Sequence, residues 1–425
     1  MDNQKDILNK AKRVDVPFNY VVLRKDKIKK YDSIRNQQLY VKLADLNKYI
    51  NMQVNDINRL LGGILMSSRK WETVNIDTID GKKQGIAPII ISASRSTDIP
   101  AFYSEWFMNR LREGYVKWIN PFNRKPQYIS FEKARVIVFW TKDAQPIIPH
   151  LKEINRMGIN YYFSFTLNNY EKEGFEPGVR VLEKRINTFK KLSYKIGKDK
   201  VIWRFDPLIL TDKLSVDDLL NKIYEIGEQI SSYTNKLVIS FADISSYSKV
   251  QNNLQRKNIY YKEFTPETME AVAKGLNHIN KNWGLDIATC SEEIDLNRYG
   301  INKNKCIDDD LMINIFSQDK ELMKFLGCEN NDNGSIYEEI SLFDFIDNKD
   351  NFPSEMSKYN SSDRSKKLKD KGQRECCGCI ISKDIGQYDT CNHQCIYCYA
   401  NSSPKIAYNN FLKYLRSDKN GESIT

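Results

Sequence analysis

From residue 88 to residue 289 the chain repeats one pattern: a short run of apolar, β-branched or aromatic residues, then a longer stretch with helical apolar spacing. The strand candidates are Pro88–Ala93, Arg135–Trp140, Tyr161–Thr166, Val201–Arg204, Leu237–Phe241 and Leu285–Thr289. The helical stretches are Tyr103–Arg112, Pro146–Met157, Val179–Leu192, Val216–Ile230 and Pro266–Asn282, the last opened by Thr265 and a proline at its first turn. Strands separated by helices pair in parallel, because each helix carries the chain back to the same end of the sheet. A seventh strand is predicted around Lys383–Tyr388, with a helix at Pro404–Leu415 beyond it. The expected fold is α/β, a β/α sheet closed or nearly closed into a barrel.

Polar residues follow these strands one after another: Arg95 and Asp98, Lys142, Asn168 and Asn169, Arg204 and Asp206, then Asp243. In β/α barrels that end of the sheet is the ligand face. Arg95, Lys142, Arg204, Asp206 and Asp243 are therefore candidate contacts to a substrate or cofactor, with the cations suited to carboxylate or phosphate.

Between the seventh strand and the last helix lies Cys391-Asn-His-Gln-Cys395-Ile-Tyr-Cys398. Three thiolates on one loop can hold three irons of a [4Fe–4S] cluster and leave the fourth iron open, where S-adenosylmethionine (SAM) can bind and be reduced. Four thiolates are the usual set for plain electron transfer. Structural zinc takes four ligands, commonly in C-x2-C pairs, and the three-residue gap fits that poorly, although His393 could compete as a ligand. Cys290 ends the sixth strand, Cys306 follows it, and Cys377 and Cys379 precede the seventh; these four are candidate ligands of a second [4Fe–4S] cluster, with Cys376 an alternative to Cys377. Nine cysteines without a secretory leader read as metal ligands in a cytoplasmic protein rather than as disulfides. No apolar run is long enough to cross a membrane.

The net charge is +10, and residues 1–85 hold 17 basic against 10 acidic residues. That segment is expected to be a small helical or mixed extension, with helices at Leu43–Ile50 and Val54–Met66 and a strand at Trp71–Ile79. It is a candidate surface for nucleic acid or a protein partner. The barrel is expected over 86–325, an insertion or linker over 326–370, and the cysteine segment that completes the barrel over 371–425.

Several runs together resemble the bacterial and archaeal family filed as domain of unknown function 1848. They are Ser92–Tyr103 (SASRSTDIPAFY), Val138–Lys142 (VFWTK), Trp203–Pro207 (WRFDP), Ser240–Asp243 (SFAD), and Asp384–Tyr388 (DIGQY) leading into the cysteine loop. The resemblance implies a radical-SAM-like partial barrel, circularly permuted so that the cluster-bearing strand comes last and pairs beside Pro88–Ala93. It implies Cys391, Cys395 and Cys398 as cluster ligands and Tyr397 as the aromatic residue against adenine. The Gly-Gly-Glu run that often meets the methionine part of SAM is missing, and Arg95 or Asp98 stands as its substitute. The function so implied is reductive cleavage of SAM to a 5′-deoxyadenosyl radical that abstracts hydrogen from a substrate, with nucleic acid a candidate. A flavodoxin or ferredoxin would donate the electron. The alternative is a non-catalytic iron–sulfur protein for redox work or nucleic-acid binding.

Overall fold

The computed structural model describes the backbone of residues 19–24, 27–32 and 37–42, and residues 71–328 and 368–424 in full. The chain divides into two units, Met1–Lys70 and Trp71–Thr425. In the first, Asn19–Arg24, Lys27–Asp32 and Gln37–Lys42 form an antiparallel three-stranded sheet. Sequence reading did not anticipate these strands, and the helices expected at Leu43–Ile50 and Val54–Met66 lie outside the described residues.

The boundary expected at residue 85 moves to Trp71. Glu72–Thr78 pairs antiparallel with Gly81–Ala87, which pairs in parallel with Pro126–Ser130, itself antiparallel to Tyr115–Ile119. Ile76, Tyr115 and Tyr128 bury a small core there, so the hairpin belongs to the second unit. The insertion expected over 326–370 falls mostly on 329–367, outside the described residues. Its end at 370 also shifts, because Lys369 already bridges Ile380.

The main sheet has eight parallel strands. We number them β1 (Ile90–Ala93), β2 (Val136–Thr141), β3 (Asn160–Thr166), β4 (Val201–Leu208), β5 (Lys236–Phe241), β6 (Asp286–Thr289), β7 (Ile301–Lys303) and β8 (Lys383–Asp384). Their order is β8-β1-β2-β3-β4-β5-β6-β7. The last strand lies beside the first, with Lys383 opposite Ile91 and Asp384 opposite Ser92. Every other crossover moves one place in one direction. Crossovers of one hand then stack their helices on one face.

Alternation along the strands builds two cores. Ile91, Ile137, Phe163, Trp203 and Ile239 face the helices, where they meet Phe189, Leu219, Ile223 and Leu276. Ile90, Val138, Tyr162, Ile202 and Val238 point to the inner face and meet Ile307, Met312, Leu322 and Ile380. A sheet buried on both faces explains why its strands read as unbroken apolar runs.

The sheet also curls. At a strand spacing of about 4.8 Å, β1 and β7 would stand about 29 Å apart if flat. Yet Arg95, just past β1, interacts with Cys306, just past β7. Among the described residues the edge strands β7 and β8 are not hydrogen-bonded to each other. Gly386 lets β8 lie against the turn after β1, since a Cβ there would fall 1.8 Å from Ser94 Oγ. No helix among the described residues is long and apolar enough to cross a membrane.

Candidate metal centre at the strand ends

The loop that follows β8 is held by its backbone, which leaves its thiols free. Tyr103 donates its hydroxyl to Thr390 O (2.6 Å), and Asn401 donates its amide to Cys391 O (2.8 Å). Gly178 N donates to His393 O (2.9 Å), and Ile396 N to Phe175 O (3.0 Å). Asn253 donates to Ile396 O at 3.1 Å. Residue 178 must be glycine: a Cβ would lie 2.4 Å from Asn392 O and 2.7 Å from His393 O.

Cys391, Cys395 and Cys398 are each half-buried. Burial, with the nearby Asp98 and Cys398, pushes the Cys391 thiol up to about 12, and burial pushes Cys395 well above its ordinary value. Thiols in such a setting ionise when a cation joins them, as metal ligands do. No three thiols among the described residues lie within 4.8 Å of one another. Three thiols on one loop are a soft donor set of the kind that holds an iron–sulfur cluster or zinc.

His393, the nearest competing ligand, is committed elsewhere. Its Nε2 lies 2.7 Å from Asp98 Oδ2, its Nδ1 faces Gly178 O at 3.4 Å, and its ring packs on Phe102 with centroids 4.6 Å apart. Asp98 Oδ2 also accepts from Lys142 N (2.6 Å), and its Oδ1 caps the short helix Ile99–Phe102 through Ala101 N (2.9 Å). Asp98 thus ties the loop to the β1 and β2 ends. His393→Ala is expected to leave iron content unchanged and to lower stability by about 1–3 kcal/mol, because the buried Asp98 loses a partner. Iron assay and thermal unfolding check it, and lost iron with an unaltered fold would make His393 a ligand.

Beside Cys395 stands a buried polar knot. Lys142 Nζ contacts Glu176 Oε1 (2.7 Å) and the Tyr397 hydroxyl (3.0 Å). Asn168 donates to Glu176 Oε1 (3.0 Å), and Tyr397 donates its hydroxyl to the same carboxylate. Burial alone would raise the Glu176 pKa, but Lys142 and Arg185 hold it below its ordinary value. Burial alone would lower the Lys142 pKa, but Glu176 and Cys395 keep it raised. The Tyr397 hydroxyl is anchored in the wall, and its ring is tilted against Tyr170.

Arg204 and Arg95 both place a guanidinium over the Trp140 ring, at 5.3 and 5.2 Å. Arg204 pairs with Asp206 Oδ2 (2.5 Å), and Ser240 donates its hydroxyl to the same carboxylate. Among the buried polar atoms without a partner are Arg95 Nη2, Glu176 Oε2 and, on the inner face of β3, Ser164 Oγ. Cys290, Cys306, Cys377 and Cys379 gather as a separate thiol group beside Arg204. The structure thus brings Arg95, Lys142, Arg204, Asp206 and Tyr397 to the strand ends around the two thiol groups. Asp243 stays apart on the half-exposed rim, 3.8 Å from Arg374.

Sequence reading placed Asn168 at a strand end without giving it a role, and missed Glu176, Trp140 and Glu292. Glu292 accepts from Phe241 N (3.0 Å), and burial pushes it up to about 7. Trp140 and Asn168 carried the signal of standing at a strand end. Glu176 carried none, because it sits inside a long connection.

Among solved structures, a candidate alpha-L-fucosidase from Bacteroides thetaiotaomicron aligns over 61% of this chain and 86% of that one, at 9% identity and a TM-score of 0.22. That overlap is too small to support a shared fold or activity. No curated protein matches the chain. The model of the family described as domain of unknown function (DUF1848) matches residues 90–400, which span the curled sheet and the cysteine loop, and the chain belongs to that family.

Proposed function

We propose that the protein is a radical SAM enzyme, in which Cys391, Cys395 and Cys398 hold a [4Fe–4S] cluster with one iron left free for SAM. One observation carries the reading. The loop presents three thiols at the strand ends, while two candidates for a fourth ligand are placed elsewhere: His393 is bonded to Asp98, and Cys379 lies in the separate thiol group with Cys306 and Cys377. The position of β8 beside β1 supports a permuted barrel of the radical SAM type, since the cluster-bearing strand then keeps its neighbour although it comes last in the chain.

Such a cluster, when reduced, supplies one electron to the sulfonium of SAM, giving methionine and a 5′-deoxyadenosyl radical that takes hydrogen from substrate. The chain's own residues supply the setting. Lys142 sets a positive charge beside Cys395, and its bond to the Tyr397 hydroxyl fixes that side of the loop. Asp98 fixes the opposite side through His393. Arg95 Nη2 and Ser164 Oγ are unpaired donors fitted to polar groups of SAM or substrate. The curled sheet shields the site from water, which strengthens charge interactions within it. Flavodoxin or ferredoxin is the fitting class of electron donor. Nucleic acid stays the candidate partner of the basic segment before residue 71.

The test is anaerobic reconstitution with iron and sulfide, reduction by dithionite, and addition of SAM. The expected product is 5′-deoxyadenosine above the protein-free background. Its absence from reduced protein with an intact cluster overturns the reading.

A further inference from the structure

The second thiol group is assembled from three distant segments. Cys290 follows β6, Cys306 follows β7, and Cys377 and Cys379 precede β8. Cys290 Sγ lies 3.3 Å from Cys306 Sγ, and Cys379 is in contact with both Cys306 and Cys377. Cys376 turns away and meets Ser291 O at 3.2 Å.

What surrounds the sulfurs is unusual for core cysteines. Cys379 Sγ accepts from the backbone N–H of Cys306 (3.2 Å) and Ile307 (3.4 Å). Cys306 Sγ accepts from Arg204 Nη1 (3.1 Å) and Asn304 Nδ2 (3.1 Å). A neutral thiol is a weak acceptor and does not call for four N–H donors on two sulfurs. Arg204 is 3% exposed, and Asp206 occupies only part of its fork. A buried cation needs anionic neighbours, and thiolates supply them. Arg95, with Nη2 unpaired, stands near Cys379 and Cys306 as a second cation.

We propose that Cys290, Cys306, Cys377 and Cys379 ligate a second [4Fe–4S] cluster, closed by four protein thiolates and flanked by Arg204 and Arg95. A closed cluster has no iron to offer SAM, so it serves as a one-electron carrier. The hydrogen bonds and positive charge at its sulfurs raise its potential. This inference stands independently of the SAM reading.

Iron and acid-labile sulfide are counted in the full chain after anaerobic reconstitution. About eight irons are expected, four per cluster, and about four overturn the proposal. Cys391→Ala/Cys395→Ala/Cys398→Ala removes the other site and is expected to keep about four irons, with visible absorption that dithionite bleaches. A folded variant holding no iron, or zinc in its place, overturns the second cluster whether or not SAM is cleaved by the wild type. Arg204→Gln in that variant should keep the iron and shift the midpoint potential downward. An unchanged potential overturns the role given to Arg204.

Discussion

Cys395→Ala is expected to bring 5′-deoxyadenosine formation down to background and to remove about four irons per chain. Two thiolates remain on the loop; His393 is bonded to Asp98 and Cys379 belongs to the separate thiol group, so neither replaces the third. Most of the loop's anchors use its backbone: Gly178 N to His393 O, Ile396 N to Phe175 O, and Asn253 to Ile396 O. The Cys395 thiol serves none of these anchors, so the fold should hold: compared as iron-free proteins, variant and wild type should differ by no more than about 1 kcal/mol of stability. The comparison is Cys328→Ala, whose thiol lies 4.0 Å from Leu326 O and outside both thiol groups; it should leave iron and product as in the wild type. The measurement is iron content with product quantified by chromatography on the same sample. Retained product with four irons lost would place the chemistry elsewhere.

The features legible in the sequence were those that local patterning records. Val216–Ile230 has the predicted bounds, because Ser215 and Asp218 form a capping box at its start and its apolar spacing is regular. Six of the main strands were legible as apolar runs because both sheet faces are buried. β8 was placed from the loop that follows it, since two paired residues carry no periodic signal of their own. Ile301–Lys303 is only one residue longer and was missed, as were Tyr115–Ile119 and Pro126–Ser130, which belong to a second sheet half open to solvent. Pro146–Met157 read as one helix, but Pro149 sits in a 3₁₀ turn and the α-helix covers only Leu151–Arg156.

The cysteine loop was legible because its ligand positions lie within eight residues, a spacing that sequence displays directly. The partners that fix it were not. Asp98 and His393 are 295 residues apart, and Lys142 and Tyr397 are 255 apart. Their pairing depends on how the last strand closes on β1, which no local pattern encodes. The second thiol group was legible only as a set of residue types. The donors aimed at its sulfurs, Arg204 and Asn304, become visible once β4 and the turn after β7 are brought together.

Glu176→Leu is expected to cost about 3–5 kcal/mol of stability, the largest effect of any single change near the site that leaves all thiols in place. Lys142 and Glu176 have side chains only 14% and 4% exposed. Removing the carboxylate leaves an ammonium buried with the Tyr397 hydroxyl as its remaining partner, and leaves the Asn168 amide one acceptor short. Leu fills the space but cannot accept a hydrogen bond, so these losses add to that of the ion pair. Glu176→Gln keeps an acceptor for Asn168 and loses only the charge, so it should fall between the wild type and the Leu variant. The informative comparison is Lys142→Met/Glu176→Leu. With both charges gone the stranded ammonium is removed, and part of the lost stability should return, the remainder reflecting the buried Arg185 left without the Glu176 charge. All six tryptophans lie at or after Trp71, so denaturant unfolding followed by tryptophan fluorescence reports the second unit alone. If Glu176→Leu unfolds at the wild-type midpoint, the pair does not hold the wall against the loop. If the double variant is stable yet forms no 5′-deoxyadenosine, the Lys142–Glu176 pair acts on the chemistry apart from the fold, because the wall is then intact and those two side chains are what it lacks.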